Sequence, residues 1–83
     1  VSYAVEVNEG VVEASQMGCD WWYARRPAFV ASGKLYDVKP PGLIGGVVAL
    51  GPYAEDDARF MADHMVTAGG MPRTAVNVKR APR

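Results

Sequence analysis

"CDWWYARRP", residues 19–27, is the stretch whose conformation decides the fold. Two tryptophans, a tyrosine and two arginines stand together and are bounded by Pro27. As a strand, the segment sends Trp21 and Tyr23 to one face and Trp22 to the other, because side chains alternate with period two. As a helix, it spreads the three rings around the axis. Aromatic side chains favour a pleated, half-buried surface, and proline limits either element. The expectation is a strand over 20–27, with at least one of the three rings near solvent.

Working outward, "SYAVEV" (2–7) alternates and reads as a strand with Tyr3, Val5 and Val7 on one face. "NEG" (8–10) reads as a turn. "VVEAS" (11–15) returns as a second strand, with a short helix over 11–17 as the competing reading. "AFVASGKLYDVK" (28–39) has the form of a hairpin turning at "SGK", and "PPG" (40–42) breaks it. "GGVVALGPY" (45–53) alternates little, as a buried strand does.

The clearest periodicity lies in "AEDDARFMADHMVTAGG" (54–70). Ala54, Ala58, Met61, Ala62 and Met65 share one helical stripe. Glu55, Asp56 and Asp57 fall in the first turn, where the helix dipole favours negative charge, and Gly69 and Gly70 follow the end. Arg59 lies four residues from both Glu55 and Asp63. "TAVNVKR" (74–80) alternates again as a final strand. The expected fold is therefore α+β: a small, mostly antiparallel sheet with one main helix (54–68) on one face and a carboxy-terminal βαβ unit from Val47 to Lys79. At 83 residues a single domain, 1–83, is expected.

"VVALGPYAEDDARFMADHMVTAGGMPRTAVNVK" (47–79) resembles the second half of a SPOR domain. The resemblance rests on Gly51, Pro52 and Tyr53 after the strand, Ala58 and Met65 on the helix, Gly69 and Gly70 at its end, then Val76 and Val78. It implies a ferredoxin-like sheet of two βαβ halves and binding to denuded peptidoglycan strands. The amino half departs from the pattern, since Val7 is not followed by the expected turn and long amphipathic helix.

Formal net charge is zero, which gives no general attraction to nucleic acid or to an anionic membrane. Acidic residues occupy the amino end, while Arg73, Lys79, Arg80 and Arg83 make the carboxy end basic, either as a solvated terminus or as a contact for an acidic group. Cys19 is the lone cysteine, and no apolar run approaches the roughly 20 residues of a membrane span. No signal segment opens the chain, and a cytoplasmic setting is expected. Arginine outnumbers lysine two to one, a bias that points to a GC-rich bacterial or phage genome.

Catalysis is not expected. His64, with Phe60 and Met61 in the preceding turn, reads as a helix-flank histidine, and Cys19 as a small buried hydrophobe. No CxxC, HExxH, Walker or EF-hand spacing is present, and "GLIGG" lacks the Lys-Ser/Thr of a phosphate loop. No metal or cofactor is implied. The expected function is a non-catalytic protein-interaction module, binding through Trp21, Trp22, Tyr23, Arg25 and Arg26, since Trp, Tyr and Arg dominate interface hot spots. Phe60 and His64 form a second patch, suited to self-association as a homodimer. Two alternatives stand beside this: a nucleic-acid binder using an open sheet face, and SPOR-like glycan binding. The plainer reading is that the tryptophans are core anchors.

Overall fold

The structure is a computed structural model and describes residues 1–39 and 46–81. "PPG", most of "GLIGG" and Arg83 lie outside the described residues. The elements are β1 (Tyr3–Asn8), α1 (Glu9–Val12), α2 (Gln16–Ala31), β2 (Leu35–Lys39), β3 (Val47–Tyr53), α3 (Glu55–Thr67), a 3-10 turn (Arg73–Ala75) and β4 (Val76–Arg80). The strands form one sheet in the order β2-β3-β1-β4, and every neighbouring pair is antiparallel. The α+β class, the antiparallel sheet, helix α3 and the carboxy-terminal βαβ unit are all present. Strands β3 and β4 flank β1 and run parallel to each other, and β1 and β2 likewise flank β3. This is the ferredoxin-like split-βαβ arrangement, which hosts many unrelated functions.

Residues 20–27 are helical, not extended, and this corrects the expected strand. Helix α2 begins at Ser15, whose side-chain oxygen accepts from the Gly18 amide at 3.2 Å and so satisfies one of the free amides of the first turn. The same hydroxyl donates to the Gly70 carbonyl at 3.0 Å and ties the helix start to the end of α3. Pro27 lies inside α2 rather than ending it. It is exposed, so its ring faces solvent on the outside of α2, and it lacks the amide that an ordinary residue would offer the Tyr23 carbonyl. Tertiary burial of Trp22 outweighs the weak strand preference of aromatics.

Two further expectations change with it. Residues 28–31 end α2 instead of forming a hairpin arm, and the chain turns at Gly33, whose φ of 74° suits glycine, into β2. Residues 9–12 form α1 rather than a strand, capped by the Asn8 side chain, which accepts from Gly10 and Val11 amides at 3.1 and 3.3 Å. A long helix therefore does follow β1. Within the basic end, Lys79 lies 3.5 Å from Glu6 and Arg73 3.4 Å from Asp63. Asp63 thus pairs with Arg73, while Arg59 pairs with Glu55 alone of its two expected partners.

The core lies between the sheet and its helices. Val5 and Val7 of β1, Val48 and Leu50 of β3, Val12, Trp22, Ala58, Met65, Met71 and Ala75 form one buried cluster. Met61 and Ala62 pack against its edge, so the predicted stripe faces inward from Ala58 to Met65, while Ala54, expected on it, is the exposed N-cap residue before α3. Ala75 is buried, but from the 3-10 turn rather than from the final strand.

Candidate functional site

The aromatic–arginine run does not form one surface. The helical turn divides it between the core and the outside of the helix layer. Trp22 is fully buried and stacks on Phe29 with ring centroids 6.0 Å apart. Its indole Nε1 donates to Glu9 Oε2 at 2.8 Å, and Arg26 Nε donates to the same oxygen at 2.6 Å. Trp22 is thereby removed from the solvent-facing surface, while Arg26 stays partly exposed and is held by Glu9. A carboxylate at the start of α1 neutralises the guanidinium and satisfies the buried indole N–H. Tyr23 remains on the outside, with its hydroxyl 3.3 Å from Glu13 Oε2. Burial, the Glu9 and Glu13 carboxylates, and the bond to Glu13 push its phenol up to about 12.

Trp21 and Arg25 stand on the other flank of α2, where they meet residues assigned separately from the sequence. The Arg25 guanidinium lies 4.3 Å from the Trp21 ring centroid. Trp21 meets His64 edge-on at 6.0 Å, and His64 stacks on Phe60 at 5.8 Å. Phe60 is 72% exposed, while Trp21 is half-buried. Trp21 and Arg25 of the first expected surface thus join the second in one continuous row, Arg25, Trp21, His64, Phe60, running from α2 across to α3. Met17, one turn before Trp21 and 62% exposed, extends it.

Glycine makes this meeting of helices close. A methyl group at Gly69 would come within 2.9 Å of Trp21 Cδ2, and one at Gly70 within 2.7 Å of Met17 Sδ. Gly70 also has φ 72°, a left-handed position. Gly69 and Gly70 were legible as a helix stop but not as the seat of Trp21. Met17 was missed for the same reason as the row itself. Met17, Trp21 and Arg25 are four residues apart and share a face only if α2 is a helix.

The row supplies cation–π and ring–ring contacts. His64 touches rings rather than a carboxylate that would orient it for proton transfer. Among the described residues no group of three His, Cys, Asp or Glu side chains is placed to hold a metal ion, and no helix is long and apolar enough to cross a membrane. The sheet face opposite the helices carries Ala4 and Glu6 on β1 and Ala49 on β3, with Tyr36 on the edge strand β2. RNA-recognition sheets stack bases on aromatics, whereas here the central strands offer alanine and a carboxylate. Comparison with protein-family models, with curated proteins and with solved structures finds no match to this chain.

Proposed function

We propose that this chain is a non-catalytic protein-interaction module that binds through the row Arg25–Trp21–His64–Phe60. The carrying observation is that an exposed phenylalanine, an accessible tryptophan and a stacked arginine are contiguous across two helices. An isolated exposed ring needs no explanation, but a patch built from Trp, Arg and Phe has the composition of an interface hot spot. The rings are held by Gly69 and by each other, so little side-chain freedom is lost on binding. A bacterial or phage source is proposed with it, on the excess of arginine over lysine alone.

Affinity capture with the wild-type chain and with Phe60→Glu tests the reading. Phe60 is outside the core, so the variant should keep the wild-type circular dichroism and lose the captured protein. Capture that survives Phe60→Glu would place the binding site elsewhere. Capture abolished by nuclease would instead favour nucleic acid, and retention on purified peptidoglycan would favour the glycan reading.

A further inference from the structure

The two helices that build the row differ in charge. Helix α2 carries Arg25 and Arg26 against Asp20, and α3 carries Glu55, Asp56, Asp57 and Asp63 against Arg59. Arg26 is turned to Glu9, Glu55 to Arg59 and Asp63 to Arg73. That leaves on α2 the outward cation Arg25, with Asp20 held by the neutral Gln16 amide at 2.8 Å, and on α3 the outward anions Asp56 and Asp57 at its head. The Arg25 level of α2 and the head of α3 are therefore opposite in sign, and a two-fold axis lying in the interface sets one against the other.

The levels of these residues fit such an axis. The helices run in opposite directions: Ser15 and Met17 meet Gly70, while Trp21 meets His64. Trp21 is level with His64, so Arg25, one turn on, is level with Phe60. Asp56 and Asp57 lie one turn beyond Phe60, level with Ala28. A two-fold axis along the groove between the helices keeps every level and lays α2 of one copy on α3 of the other. Arg25 then comes over Phe60 of the second copy, within a side chain's reach of its Asp56 and Asp57. The same Phe60 seats beside Ala24 and Ala28, which are exposed and small enough to admit it.

We propose that the occupant of this surface is a second copy of the chain, paired α2 on α3 about this axis. The inference rests on the row being a protein-binding surface and names what covers it. The two helices offer a footprint about 20 Å by 20 Å, or about 400 Å² per copy. The total, about 800 Å², falls below the range of stable specific interfaces, so the pairing is weak and transient, with a dissociation constant well above the micromolar range.

Sedimentation equilibrium up to about 1 mM protein tests it. The wild-type chain should approach twice 8.9 kDa. Arg25→Glu, and separately the double variant Asp56→Lys with Asp57→Lys, should each remain at the monomer mass, since each makes both helices alike in sign. An equimolar mixture of the two variants should regain the dimer, because each charge then meets its opposite again. A wild-type monomer throughout the range overturns the pairing while leaving the row available to a different protein. A wild-type dimer that neither variant weakens, or a mixture that stays monomeric, overturns the α2-on-α3 arrangement. Loss of circular dichroism in a variant is controlled by Arg25→Gln, which removes the charge without reversing it and should weaken the dimer partially.

Discussion

Adjacent residues Trp21 and Trp22 are separated by about 100° around the axis of α2, and this fixes their fates. Trp22 enters the core and Trp21 lies on the outer flank. Acrylamide should therefore quench the lone tryptophan of Trp22→Phe much more than that of Trp21→Phe, and equal quenching would contradict the placement. Trp22→Ala should cost about 3–5 kcal/mol. For a domain whose total stability is about 4–12 kcal/mol, that approaches unfolding, and urea titration will read it. Tyr23 adds a pH dependence. Its folded phenol is raised to about 12 from an ordinary 10, so the folded state holds the proton more tightly. The contribution is complete below pH 10 and is lost as pH climbs towards 12. Between those limits the wild type should lose stability more steeply than Tyr23→Phe, and superimposable profiles would show that the phenol does not contribute.

Helix α2 contains its own weakness and is fastened from outside. Pro27 removes one backbone hydrogen bond, and no acidic residue occupies the first turn to complement the dipole. Its order comes from Trp22 in the core, Ser15 on Gly70 and the seat of Trp21 on Gly69. Two substitutions should then act in opposite directions. Pro27→Ala restores an amide opposite the Tyr23 carbonyl at an exposed site and should stabilise the domain by about 1 kcal/mol. Gly69→Ala places a methyl within 2.5 Å of the Met65 carbonyl oxygen and 2.9 Å of Trp21, and should destabilise by about 1–3 kcal/mol. Thermal melts of the pair decide this, and a neutral Gly69→Ala would mean that both the backbone after α3 and Trp21 can shift to admit the methyl.

Across the whole molecule, stability should be graded from the centre of the sheet to its edges. Strands β1 and β3 are each bonded on both sides and contribute Val5, Val7, Val48 and Leu50 to the core. Strands β2 and β4 are edges, and β4 carries the exposed charges Lys79 and Arg80, which guard an edge against pairing with other chains. Native-state hydrogen exchange should find its slowest amides in β1 and β3. Slowest exchange in α2 instead would mean that the helix layer, rather than the sheet, forms the last structure to open.

Wherever one face of an element repeats along the chain, the sequence alone determined the outcome. The Tyr3–Val7 alternation, the Ala58–Met65 stripe with its acidic head and glycine stop, and the buried run from Val47 were all legible as local patterns. So were the residue types that meet in the row: Trp, Arg, Phe and His. What only the tertiary structure decided is the conformation of 16–31 and, with it, the unity of the row. Its aromatics favour a strand by local preference and its proline argues against a helix, so the burial of Trp22 and the closure of Ser15 on Gly70 settle the matter from afar. Sequence places Trp21 and His64 forty-three positions apart. They touch because α2 and α3 cover the same face of one sheet, and that proximity is a property of the packed helices, not of either segment.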